Sequence, residues 1–167
     1  ESHTEISVSP EDDVELRRIT LTNHSSLARV IELTSYAEVV LAVPGADEAH
    51  PAFSNLFVQT EFVARHGALL ATRRKRSPDE ATIWVAHQAV VEGALTGPLE
   101  FETDRSRFLG RGHEIGTPIA MLGGRRLTNT VGTVLDPMFA LRCRVRVPAG
   151  ATVRVAYWTV AASSRQE

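Results

Sequence analysis

A single cysteine, Cys143, leaves the 167-residue chain without any internal disulfide, which suits a reducing compartment. Aromatic residues are few: six phenylalanines, two tyrosines and two tryptophans. Lysine and arginine number 18 against 20 aspartate and glutamate, a formal net charge of -2. Without a basic excess or a set of stacking aromatics, the chain lacks the footprint of a nucleic-acid binder. The longest apolar runs, such as Val39-Val40-Leu41-Ala42-Val43, fall far short of the roughly 20 residues of a membrane span. The six histidines are dispersed, with neither His-x-His nor His-x-x-x-His spacing, so no metal-ligand pattern is present. There is no Gly-x-Ser-x-Gly elbow and no Walker or dinucleotide fingerprint. The expectation is no catalytic residue, no metal and no cofactor within the chain.

What is present is period-two alternation, the mark of half-buried strands. Val14 and Leu16 share one parity, while Ile19 and Leu21 resume in the other; this slip at Arg17-Arg18 predicts a β-bulge. Asn23-His24-Ser25-Ser26 is turn chemistry, with a returning strand over 30–36. Residues 59–64 and 68–73 flank Arg65-His66-Gly67 as a hairpin, and further strands are expected at 82–91 and 99–103. Phe139, Leu141, Cys143, Val145 and Val147 define one apolar face, with Arg142, Arg144 and Arg146 opposite. Pro148-Ala149-Gly150 then predicts a hairpin to 152–160, with Val153, Val155 and Tyr157 inward. One short helix is expected from Pro51, where Phe53, Leu56 and Phe57 follow at helical spacing, after a polar loop over 43–50. Gly110, Gly112, Gly116, Gly123, Gly124 and Gly132 punctuate a long loop. The fold class is all-β, an antiparallel β-sandwich with one short helix, in a single domain over residues 1–167. Glu1 is not an initiator Met and lies close to an alternating run, so the chain reads as a fragment of a larger enzyme.

Candidate site chemistry concentrates at one strand end. Asp104, Arg105, Arg107, Gly110, Arg111 and Gly112, with Phe108 among them, bring charge, an aromatic and flexible backbone into nine residues. Charged forks bind sugar hydroxyls and aromatics stack on sugar faces, so this is a candidate carbohydrate- or partner-facing loop. The structural alternative has Asp104 capping a short turn while Phe108 plugs the core. Glu100 and Glu102 share a strand face and are expected on its wet side, as Glu11-Asp12-Asp13 are in a turn. Gly123-Gly124-Arg125-Arg126 admits either an anion cradle or an exposed hairpin tip. Arg73-Arg74-Lys75-Arg76 reads as a charged loop. Trp84, Trp158 and Tyr157 are sugar platforms or packing residues. His50 and His87 read as hydrogen-bonded structure.

Several segments together resemble one family over nearly the whole chain. They are residues 14–23 (Val-Glu-Leu-Arg-Arg-Ile-Thr-Leu-Thr-Asn), 32–41 (Glu-Leu-Thr-Ser-Tyr-Ala-Glu-Val-Val-Leu), 50–61 from His50-Pro51-Ala52-Phe53, and 104–112. Leu127-Thr128-Asn129-Thr130 through Gly132, Leu135-Asp136-Pro137 and Leu141 complete the set. The order resembles the β-sandwich domain of the inverting glucoside phosphorylases, with the His-Pro-Ala-Phe and Ser-Tyr-Ala-Glu segments most similar to the cyclic β-1,2-glucan synthase branch. The resemblance implies a galactose-mutarotase-like supersandwich, N-terminally truncated here, that precedes a helical linker and an (α/α)6 catalytic barrel. It implies inorganic phosphate as co-substrate of the parent enzyme and a single Asp general acid in the barrel, outside this chain. The implied partners are that barrel, a β-glucan oligosaccharide and a second copy in a homodimer, with no nucleic acid and no membrane contact by this fragment. The implied location is cytoplasmic, including the cytoplasmic face of an inner-membrane-anchored parent. The rival reading is an independent carbohydrate-binding or mutarotase-like module, which would need His87, His113 and Glu100 to converge.

Overall fold

Two antiparallel sheets packed face to face form the computed structural model, which describes residues 1–165. The strands are β1 (Ser2–Val8), β2 (Val14–Thr22), β3 (Arg29–Thr34), β4 (Ala37–Glu38), β5 (Val58–Val63), β6 (Ala68–Arg73), β7 (Trp84–Glu92), β8 (Ala94–Leu95), β9 (Glu100–Asp104), β10 (Pro137–Val147) and β11 (Thr152–Ala162). The first sheet has the order β1-β2-β11-β7-β6-β5. In the second, β10 is central, with β3 and β4 along one side and β8 and β9 along the other. The expected hairpin of β5 and β6 is present, pairing Val58 with Arg73 through Val63 with Ala68.

The core lies between the sheets. Phe139, Leu141, Cys143, Val145 and Val147 all point inward, at most 1% exposed, as their alternation predicts. They meet Leu21, Val58, Leu69, Val153, Val155 and Tyr157 from the first sheet. Each such side chain contributes about 1.5–3 kcal/mol on burial. Phe62 of β5 stacks on Phe101 of β9 with centroids 4.0 Å apart, tying the sheets at a second point.

Two strand connections differ from the sequence expectation. β10 and β11 belong to different sheets and make an arch, not a hairpin. Their apolar faces point at each other across the core, whereas hairpin neighbours would share one face. Likewise β3 does not return beside β2 but crosses to β10. The two crossings lie side by side and Asn23, 8% exposed, pins them. Its side-chain amide donates to the carbonyls of Leu27, Val147 and Pro148 at 2.8–3.0 Å. Nor is there a bulge at Arg17-Arg18: β2 keeps unbroken register with β1 and β11 throughout.

The helix expected at Pro51 is present as α2 (Pro51–Asn55), but it is preceded by α1 (Pro44–Ala49), where a polar loop was expected, and followed by α3 (Arg105–Leu109). Each starts with Pro or is capped by an Asp, and none exceeds two turns. The glycine-punctuated segment after α3 is irregular apart from a 3-10 turn at Ile119–Met121. With α3 it forms a third layer on the outer face of β10, where Phe108, Leu109, Ala120 and Leu127 cover Met138 and Ala140.

Candidate functional site

The candidate segment begins where β9 ends. Asp104 Oδ1 accepts from the Ser106 backbone N–H at 2.9 Å and from its hydroxyl, capping α3. Phe108 is buried, 3% exposed, and packs on Tyr36 with centroids 5.3 Å apart. The structural alternative therefore holds for these two residues. Arg105 Nε donates to the Tyr36 hydroxyl at 3.0 Å, and its Nη1 lies 3.1 Å from Asp136 Oδ2. Those hydrogen bonds raise the Arg105 pKa further, so it stays charged. Gly110 ends the helix at φ 80°, with Ile119 packed against the place where a side chain would stand. Arg107 reaches back to Asp104 at 3.5 Å but is 55% exposed. Arg111 and Gly112 are exposed, and Arg111 has no ion-pair partner among the described residues.

Beneath the third layer lies a buried charge network that includes Glu100 and Glu102, two residues the sequence places on a wet face. Arg142, 1% exposed, donates to the carbonyls of Ala120 and Arg125 and to Thr34 Oγ1. Its burial lowers its pKa, while Glu32 and Glu100 oppose that shift. Glu32 on β3 sits 2.6 Å from Arg144 Nε and 3.3 Å from Arg142 Nε. Glu100 and Glu102 are 4% and 1% exposed, not on a wet face. Glu100 Oε2 accepts the Leu127 N–H at 3.0 Å; Oε1 accepts no hydrogen bond but lies 3.2 Å from Arg144 and 3.3 Å from Arg126. Glu102 accepts the N–H groups of Thr103, Asp104 and Thr128 and the Thr128 hydroxyl. Both carboxylates fasten the 127–130 segment to β9; Glu102 is held by hydrogen bonds, and the Oε1 of Glu100 that accepts none lies against the guanidinium groups of Arg126 and Arg144.

A cleft of about 450 Å³ lies between the inward face of the first sheet and the chain joining β3 to β4. Its floor is His87, Tyr157 and Thr159; its walls are Glu15 and Arg17 on β2 and the Ser35-Tyr36 bend between β3 and β4. Arg17 pairs across the ladder with Tyr157, and Glu15 with Thr159, which fixes all four on the inward face. The slip read as a bulge is thus the point where the inward face of β2 leaves the core and turns polar. His87 is stacked between Phe139 and Tyr157, with centroids at 5.9 and 5.8 Å. Its Nε2 meets Ser35 Oγ at 2.8 Å and its Nδ1 meets Thr159 Oγ1 at 3.0 Å. Burial lowers the His87 pKa to about 4, helped by Arg17 and opposed by Glu15, so the ring is neutral near pH 7. Tyr36 donates to Glu38 while accepting from Arg105, so α3 braces the cleft wall from outside. Sequence reading missed Glu15, Arg17, Ser35 and Thr159; the signal was polar residues on an otherwise apolar parity.

His87, His113 and Glu100 do not converge. His87 faces the inter-sheet cleft, Glu100 lies on the opposite face of the second sheet, and His113 bonds the Thr117 carbonyl within the third layer. Among the described residues no group of three His, Cys, Asp or Glu side chains is placed to hold a metal, and no helix is long and apolar enough to cross a membrane. Trp158 stands on the outer face, 37% exposed, while Tyr157 is core.

Two antiparallel sheets packed over one core define a β-sandwich domain, and the chain belongs to the family described as glycosyl hydrolase 94, supersandwich domain, which it matches over residues 1–167. It is 45% identical over 166 residues to the cyclic beta-(1,2)-glucan synthase NdvB of Rhizobium meliloti (strain 1021), an alignment that takes in 99% of this chain. The chain spans 6% of the length of that relative.

Proposed function

We propose that this chain is a non-catalytic β-sandwich domain of a cyclic β-1,2-glucan synthase or glucoside phosphorylase. It would support carbohydrate binding and a catalytic (α/α)6 barrel supplied by the rest of the protein. The observation that carries this reading is the family match over the full chain together with 45% identity to a glucan synthase. The site chemistry supports it. The two carboxylates best placed to act as acids, Glu100 and Glu102, are committed to backbone N–H groups and arginines, and inverting glycoside chemistry needs a carboxyl free to reach substrate. In this reading inorganic phosphate is a co-substrate of the whole enzyme and β-glucan its oligosaccharide. Arg107 and Arg111, with the turn at Gly110 and Gly112, face the barrel, a second copy joins in a homodimer, and the domain works on the cytoplasmic side. The test is deletion: removing residues 1–167 from the whole protein should abolish cellular β-1,2-glucan production while the remainder is still made. Unchanged glucan yield would contradict the reading.

A further inference from the structure

We propose that the cleft over His87 is a binding site for a neutral sugar, a single glucopyranosyl unit of the glucan. The polyol chemistry comes from the cleft; the identity of the sugar rests on the function proposed above. At about 450 Å³ the cleft falls in the range of small-molecule sites, about 300–1,000 Å³. Its charges cancel, because Arg17 Nε and Glu15 Oε1 are 2.6 Å apart and His87 is neutral. An anion or cation therefore gains nothing there that water does not give. What the cleft offers is an alternation of donors and acceptors, the complement of hydroxyl groups that both donate and accept.

The hydrogen-bond inventory leaves Thr159 with spare capacity. Ser35 Oγ accepts the Leu141 N–H at 2.9 Å and meets His87 Nε2 at 2.8 Å, while His87 Nδ1 meets Thr159 Oγ1 at 3.0 Å. In either tautomer of the ring the Thr159 hydroxyl keeps a free lone pair, and where Nδ1 donates it keeps its hydrogen as well. It stands on the cleft floor beside the Glu15–Arg17 pair, which presents a planar guanidinium and a carboxylate side by side, a match for adjacent hydroxyls. The rest of this face carries Ile19, Leu21, Val153 and Val155, so the polar group is confined to the cleft.

The test is calorimetric or NMR titration of the chain with glucose, the β-1,2-linked disaccharide sophorose, and glucose 1-phosphate as an anionic probe. Saturable binding of the neutral sugars is expected. Thr159→Val and Arg17→Gln should each weaken it about tenfold. Arg17 is half exposed, so Arg17→Gln should keep the parent thermal midpoint; Thr159→Val also removes the partner of His87 Nδ1, so it is compared where it remains folded and alongside Thr159→Ser, which keeps the hydroxyl and should bind like the parent. Glucose 1-phosphate should bind no tighter than glucose. Absence of saturation up to about 50 mM, the weak end for a specific site, would overturn the proposal, as would unchanged affinity in both variants. Tenfold preference for the phosphorylated sugar would replace it with an anion site. None of these outcomes touches the glucan-enzyme reading, which stands or falls on the whole protein's glucan output.

Discussion

Arg142 Nε lies 3.3 Å from Glu32 Oε1, on adjacent strands and under a layer of irregular chain that seals the guanidinium to 1% exposure. The pair holds more than itself, because the same guanidinium carries the carbonyls of Ala120 and Arg125. Arg142→Met leaves those carbonyls and part of the Glu32 charge without a partner. The expected loss of stability in chemical denaturation is about 3–5 kcal/mol. A change below about 1 kcal/mol would show that water replaces the guanidinium, and that the network is peripheral.

Gly110 supplies the sharp end of α3. At φ 80° an L side chain is strained, and a Cβ would stand 2.6 Å from Ile119 Cγ2. Gly110→Ala should destabilise by about 2 kcal/mol through the two effects combined. Adding Ile119→Ala should recover the steric part and not the backbone part, so the double variant falls between. Strict additivity of the two losses would contradict this contact.

His87 makes stability depend on pH in a predictable direction. Unfolded, it takes up a proton near 6.5; folded, near 4. The contribution is complete above pH 6.5 and is lost as pH falls from 6.5 to 4, by about 3 kcal/mol in all. Glu15, Arg17 and Tyr157 surround the ring but do not reverse that sign. The check is the difference in unfolding free energy between the protein and His87→Gln, measured across this interval. A difference independent of pH would mean that the ring is protonated in the folded state or accessible to water.

Alternation made much of the sandwich legible: the five inward side chains of β10, the β5–β6 hairpin and the helix at Pro51 follow from periodicity alone. It could not distinguish a hairpin from an arch, because both connect two period-two strands through a Pro-Gly turn. The distinction lies in whether Val145 and Val155 sit on one face or oppose each other, which is a tertiary fact. Glu100 and Glu102 read as wet-side residues because an irregular third layer has no period to betray it. Arg17 carried the opposite lesson. Its polarity on an apolar parity marked the rim of a cleft rather than a defect in the strand.

Arg111→Ala in the whole protein probes the exposed turn after α3. Loss of a charge-assisted contact to substrate or barrel costs on the order of 1.5–3 kcal/mol, hence about tenfold or more in catalytic efficiency. Since Arg111 is exposed and unpaired among the described residues, the thermal midpoint should not move. Unchanged kinetics would reduce residues 104–112 to a connector with a capped helix.

The central claim is that this sandwich serves glucan chemistry without performing it. The most direct measurement is phosphate-dependent release of glucose 1-phosphate from β-1,2-glucan, run in parallel on the purified chain and on the whole protein. The account predicts turnover by the whole protein and none by the chain. Turnover by the chain, abolished by a point substitution within it such as Glu102→Gln, would contradict it.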